Sequence, residues 1–119
     1  MKPLLVAVRT LLIVVLVVVV WASLKPTGST IAGSDKIAHF LAYAALSGLG
    51  LLSFGRVWFQ AGFVVFCLLL GGTMEIMQGM LPHRVMGWDD MLANALGVAV
   101  AVAVYWPLRS WFDRLLGKW

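Results

Sequence analysis

The sequence predicts an all-α integral membrane protein: a four-transmembrane-helix bundle with both termini cytoplasmic and a short interfacial helix at the C-terminus. Three observations carry this. The 119 residues are 62% hydrophobic and only 12% charged, so polar side chains are too few to cover a water-soluble domain. Four apolar stretches approach or exceed the roughly 18 to 20 residues that cross a bilayer as a helix. Within them apolar residues follow one another without the polar alternation of a membrane barrel strand. The chain, 1–119, reads as one domain.

The first span is expected at about 4–24, "LLVAVRTLLIVVLVVVVWASL". Its valines would suit a strand in water, but in lipid a helix satisfies the backbone internally. The basic start and small residues near its end also fit a signal peptide. The apolar run exceeds a typical signal core, so an uncleaved anchor is the better reading. "KPTGSTIAGSDK", 25–36, is a polar loop. The second span is expected at about 35–54, with Ser34 or Asp35 as N-cap, and "SFGRVW" is a tight turn. The third covers about 57–80 and contains the flexible pair Gly71-Gly72; the loop "LPHRVMGW" follows. The fourth covers about 88–108, ending near Pro107. In the tail, Trp111, Phe112, Leu115, Leu116 and Trp119 alternate with Arg109, Arg114 and Lys118, which suits a helix lying in the membrane interface. Lys2, Arg9, Arg56, Arg109, Arg114 and Lys118 fall to one side of this arrangement, and Lys25, Lys36 and Arg84 to the other. The richer side is expected in the cytoplasm. The net charge of +4 is thus scattered as topology signals, and no nucleic-acid partner is expected. The lone cysteine, Cys67, lies deep in an apolar run, reads as a small packed hydrophobe, and excludes an intramolecular disulfide.

Against this background the polar residues are conspicuous. Asp35, His39, Tyr43 and Ser47 recur every fourth residue and share one helical face. Glu75 and Gln78 share a face on the third span, and Asp90 and Asn94 on the fourth, where Gly97 and Ala101 continue the same face. All approach the outer ends of their helices, so a pocket walled by the second, third and fourth spans is expected there. The first span should pack outside it. Small residues, Gly97 and Ala101 on one side and Ala44 and Gly48 on the other, should let helices approach closely. Plainer readings stand beside this one. Asp35 and Asp90 can serve as caps, His39 and Asn94 as interhelical hydrogen-bond partners, and Arg84 as a solvated loop charge. The methionines read as packing or lipid-facing residues. Glu75 resists a plain reading. It lies more than a turn inside the apolar run, where an ionisable residue marks function by default.

The segments "DKIAHFLAYAALSGL" (35–49) and "EIMQGMLPHRVMGWDDMLANALG" (75–97) resemble the VanZ-like family of small bacterial membrane proteins. The family pattern has Asp-Lys then His-Phe on one helix, Glu-x-x-Gln at the end of the next, an Arg in the loop, and Asp-x-x-x-Asn-x-x-Gly on the last. Asp35, Lys36, His39, Phe40, Tyr43, Glu75, Gln78, Arg84, Asp90, Asn94 and Gly97 stand in that order, and the resemblance spans about 34–104, most of the chain. The resemblance implies a multi-pass protein of the bacterial cytoplasmic (inner) membrane, linked through the family's named member to glycopeptide susceptibility, chiefly to teicoplanin.

Two functions fit these residues. As an enzyme, the site would handle an amphiphile with a phosphate or pyrophosphate head, such as an envelope lipid or lipid-linked cell-wall precursor. Arg84 and Lys36 would hold the phosphate. His39, Glu75 and Asp90 would carry the acid–base chemistry, with Asp35 orienting His39. Tyr43, Gln78 and Asn94 would bind polar groups of the head. As a binding or transport module, the same pocket would hold such a lipid without chemistry. An envelope protein or a second copy of the chain stays open as partner. No cofactor is expected. His39, Glu75 and Asp90 could ligate a cation, but their spacing is no recognised metal motif, so no metal is expected either.

Overall fold

The computed structural model describes residues 2–24, 34–81 and 87–118, with the side chains of Ser34 and Asp35 outside the description. Helix α1 spans Pro3–Leu24, α2 Ser34–Ser53, α3 Val57–Gly79 and α4 Trp88–Tyr105; a 3₁₀ turn, Trp106–Leu108, leads into α5, Arg109–Leu116. Among the described residues there is no strand. α1 to α3 match the expected spans to within one residue at each end. The fourth ends earlier than expected, at Tyr105, because Pro107 lacks the N–H that would continue the ladder and the chain tightens into the 3₁₀ turn. Four segments are long and apolar enough to cross a membrane: Pro3–Leu24, Lys36–Ser53, Val57–Gly79 and Trp88–Leu116. The chain is therefore a multi-pass membrane protein.

The bundle is 48 Å long and 23 Å across. A 22-residue helix such as α1 rises about 33 Å at ~1.5 Å per residue, enough to cross a hydrocarbon core of about 30 Å. α1 buries Leu5, Leu12 and Val19, seven residues apart, along one narrow stripe, while Ile13 and Val17 stay more than half exposed. It thus leans on α2 and α3 and gives most of its surface to lipid. Leu12 and Val19 join Tyr43, Leu46, Cys67 and Val98 in the core.

The most extensive contact is between α2 and α4. Gly97 explains it: a Cβ there would collide with the Phe40 carbonyl oxygen and stand 2.9 Å from the Ala44 backbone nitrogen. Two backbones are in van der Waals contact because no side chain separates them. One turn further, Ala101 faces Gly48. α2 and α4 run parallel and α3 antiparallel to both, so one end of the bundle gathers the starts of α2 and α4 with the finish of α3.

The opposite end holds a polar network that the sequence reading did not anticipate. The last carbonyls of α2 lack partners within the helix. Arg9 from α1 donates to Ser53 O at 3.1 and 2.9 Å. Gln60 Nε2 from α3 lies 3.0 Å from Leu51 O, 2.9 Å from Phe54 O and 2.8 Å from the Tyr105 hydroxyl. Lys118 Nζ lies 3.0 Å from each of the same two carbonyls and 3.3 Å from Asp113 Oδ1. Burial holds its ammonium below the usual lysine range, opposed by Asp113. The tail turns inward because Gly117, at φ 66°, closes α5 with the Lys118 N–H on Asp113 O and its own N–H on Arg114 O. A cavity of about 380 Å³ opens beside this network, lined by Arg9, Phe54, Gly55, Arg56, Phe59 and Lys118.

Candidate functional site

The gathered end of α2, α3 and α4 carries the singled-out polar residues in tiers one helical turn apart. The upper tier is His39 from α2, Glu75 from α3 and Asp90 from α4. One ligand-type atom from each lies within 4.8 Å of the others. His39 Nε2 stands 3.6 Å from Glu75 Oε2. Glu75 is 1% exposed, an unfavourable setting for a carboxylate in lipid, where an acidic residue at mid-span costs about 2.5–3.5 kcal/mol on insertion scales. Its Oε1 accepts the Gly87 N–H at 2.8 Å, which ties α3 to the residue just before α4. A Cβ on Gly87 would meet Asp89 Oδ1 at 2.7 Å and Asp90 Oδ2 at 3.1 Å, so a side chain there would displace these carboxylates.

The tier below is Tyr43, Gly71 and Asn94, one turn from His39, Glu75 and Asp90 respectively. Asn94 Nδ2 points at Gly71 O, 3.4 Å away. A Cβ on Gly71 would stand 3.2 Å from the Asn94 Cβ and 3.3 Å from a Tyr43 ring carbon. The pair Gly71-Gly72, expected to be flexible, lies within an unbroken helix, and Gly71 serves close packing. Tyr43 is 2% and Asn94 4% exposed. The stripe on α2 ends here as a site feature, because the Ser47 hydroxyl donates to Tyr43 O at 2.6 Å within its own helix.

Other expected residues are placed differently. Gln78 is buried on α3, three residues from Glu75 towards the helix's C-terminus. Lys36 is exposed and pairs with Asp89 at 2.9 Å, joining α2 to α4 at the rim. Such an exposed pair is screened and contributes little to stability. Asp35 lies in the first turn of α2, one turn before His39, but its side chain lies outside the described residues, as does the whole of Arg84.

Among the described residues, three buried oxygens here have no hydrogen-bond partner: Glu75 Oε2, the Tyr43 hydroxyl and Asn94 Oδ1. Buried polar atoms are normally satisfied. Three such oxygens in two adjacent tiers give the site unmet capacity for a hydrogen-bonding or cationic guest. The family model described as VanZ/LLP1 matches residues 5–112, nearly the whole chain and the whole of the site. The chain belongs to the VanZ/LLP1 family. No curated protein and no solved structure matches it.

The contributions missed at sequence level are backbone ones. The Gly87 N–H and the Gly71 carbonyl both engage site side chains, yet neither residue carries chemistry that a motif reading would select. The "MGW" of the loop held a clue, a glycine immediately before a helix that opens Trp-Asp-Asp.

Proposed function

We propose that this VanZ/LLP1-family protein resides in the bacterial inner membrane. There it binds or acts on the polar head of an amphiphilic cell-envelope lipid or lipid-linked precursor at the outer end of the bundle. The observation that carries the reading is the meeting of His39, Glu75 and Asp90 within 4.8 Å, one from each of three helices, at a bundle end. That is the depth at which a head group meets membrane helices. A chain of this composition has little reason to bury a carboxylate there for stability alone, since buried pairs contribute weakly.

In the catalytic form of this proposal, His39 exchanges the proton, with Glu75 holding the imidazole and Asp90 as the second carboxylate. Lys36 at the rim and Arg84 in the adjoining loop bring positive charge to a phosphate. Asn94, Tyr43 and Gln78 shape the polar floor. Among the described residues, neither the buried Cys67 nor Ser47, bonded to its own helix, is set up as a nucleophile, so direct activation of water or a lipid hydroxyl fits better than a covalent intermediate. The altered susceptibility to teicoplanin-type glycopeptides implied by the family resemblance would follow from a changed envelope lipid. The second reading is a binding or transport module with the same pocket. It is favoured by the depth of Glu75, whose protonation would act as a switch.

Lipid mass spectrometry on membranes with and without the chain tests the proposal. An altered lipid that returns to normal with Glu75→Gln or His39→Asn supports catalysis. A lipid that co-purifies with wild type and both variants supports binding alone. Neither an altered nor a co-purifying lipid refutes both forms.

A further inference from the structure

We infer that His39, Glu75 and Asp90 form a divalent-cation site of the Zn²⁺ or Mn²⁺ type, facing the outer end of the bundle. The inference deepens the lipid-head reading and rests on it for the phosphate the cation would meet, though not for the cation itself; His39 and Glu75 then serve as ligands, and a water on the ion takes the place of proton exchange at His39. The sequence named these three residues as possible ligands but their spacing matched no metal motif, because the ligands come from three helices with one residue each. Local metal motifs put two ligands on one element, so this arrangement is visible only once the helices are packed.

The donors stand close to the spacing of ligands around an ion, and the widest pair, up to 4.8 Å apart, would close by roughly 1.4 Å on binding. Bonds of about 2.0–2.1 Å in a tetrahedral shell place neighbouring donors about 3.3–3.4 Å apart. His39 Nε2 and Glu75 Oε2 are 3.6 Å apart, and the donor atoms of all three residues lie within 4.8 Å of one another. A direct charge-assisted hydrogen bond between imidazole and carboxylate would close to about 2.7–2.9 Å. The observed gap is too wide for that bond and suits an ion shared between the two atoms.

The second observation is the state of Glu75. Its side chain is 1% exposed, and Oε2, the oxygen turned towards His39, accepts no hydrogen bond among the described residues. The other oxygen is fixed by the Gly87 N–H at 2.8 Å. This is how an outer-shell donor orients a ligating carboxylate. One turn deeper, the Tyr43 hydroxyl and Asn94 Oδ1 are likewise buried without hydrogen-bond partners among the described residues. They add two further buried oxygens with unmet hydrogen-bonding capacity to the tier beneath the cluster. The nearby ammonium of Lys36 is engaged with Asp89 at 2.9 Å.

One imidazole with two carboxylates is a mixed donor set. Magnesium and calcium favour all-oxygen surroundings, whereas zinc accepts imidazole and carboxylate together, and manganese suits carboxylate-rich sites. Two carboxylates and one cation also leave the buried site near neutrality. Three protein donors leave a coordination position open, where a phosphate oxygen of a lipid head could bind.

The test uses the full chain in detergent micelles, with any affinity tag removed and His83→Ala as background so that the loop imidazole supplies no ligand. The protein is stripped with EDTA, equilibrated with Zn²⁺ or Mn²⁺, desalted and measured for bound metal. About one ion per chain is expected. His39→Ala, Glu75→Gln and Asp90→Asn should each weaken retention by at least the roughly 10–100-fold seen for outer-shell changes, while Asp89→Asn retains it. Circular dichroism and gel filtration establish that each variant is folded. Should a variant not fold, the metal-dependent rise in Tm of the unsubstituted protein gives the answer without it. No retained ion and no metal-dependent Tm shift, or retention unchanged in all three variants, overturns the inference. Lipid turnover by a protein that retains no ion would overturn the cation and leave the lipid reading standing. A bound ion with no lipid effect would do the reverse.

Discussion

Glu75 and Gln60 are two buried polar side chains on one helix, and each keeps one oxygen without a hydrogen bond among the described residues. Gln60, 2% exposed, ties its amide to two carbonyls and the Tyr105 hydroxyl, so it completes the backbone of α2. Glu75 has one oxygen engaged and one without a hydrogen bond among the described residues. Gln60 braces the end of α2 through its amide nitrogen, whereas Glu75 turns its remaining oxygen towards His39 and lies beside Asp90, so only Glu75 sits where a ligand could be shared between helices. Substitution should separate them. Gln60→Ala leaves buried carbonyls with fewer donors, which costs about 1–3 kcal/mol. It should lower the melting temperature in detergent with no direct effect on the lipid phenotype. Glu75→Gln keeps the size and can keep the acceptor for Gly87, so folded yield should stay near wild type while the lipid change disappears. A drop in yield from Glu75→Gln as large as that from Gln60→Ala would show that Glu75 serves structure.

At the scale of elements, the α2–α4 contact sets the site, because it fixes the depth of His39 relative to Asp90. Gly97 lies seven residues beyond Asp90 and presses on the Phe40 carbonyl, next in sequence to His39. A side chain at 97 would push α4 off α2 and pull Asp90 from the cluster. Gly97→Leu should therefore reduce both folded yield and function, at a cost of about 1–3 kcal/mol or more for overpacking. Asn94→Ala removes only a long contact, 3.4 Å to Gly71 O, and should leave yield almost intact while reducing function. Size-exclusion profiles of the two variants provide the check; equal loss would assign Asn94 to packing. This region was the most legible part of the sequence. A charge inside an apolar run has few explanations, and four-residue spacing states which face it occupies. The other end was less legible for a physical reason. Lys118, Arg9 and Asp113 lie near helix ends, where basic and acidic residues are common as topology signals and interface anchors. Their partners are 64 to 67 residues away for Lys118 and 44 for Arg9, and no local pattern encodes such pairings. The turn at Pro107 was visible, but its consequence, a tail folded back to cap α2, depended on Gly117 adopting a left-handed conformation.

For the whole molecule, the two polar ends differ in kind, and that difference bears on orientation. One end gathers His39, Glu75, Asp89 and Asp90 around a site walled by three helices. The other gathers Arg9, Arg56 and Lys118 around a cavity of about 380 Å³. A basic rim suits the cytoplasmic leaflet, whose anionic lipids attract lysine and arginine near the surface, and basic residues are retained on that side during insertion. The expected topology therefore places both termini and the 2–3 turn inside, with the His39–Glu75–Asp90 site outside. Labelling with a membrane-impermeant maleimide checks it directly. In a Cys67→Ala background, Met80→Cys marks the site end at a residue 79% exposed, and Ser110→Cys marks the opposite end on the exposed side of α5. Intact spheroplasts should label at 80 and not at 110, and inverted membrane vesicles should give the reverse. If position 110 reacts in spheroplasts and position 80 does not, the site faces the cytoplasm. A proposed guest would then have to be sought among inner-leaflet lipids, and no effect on a drug acting outside the membrane would follow from this site.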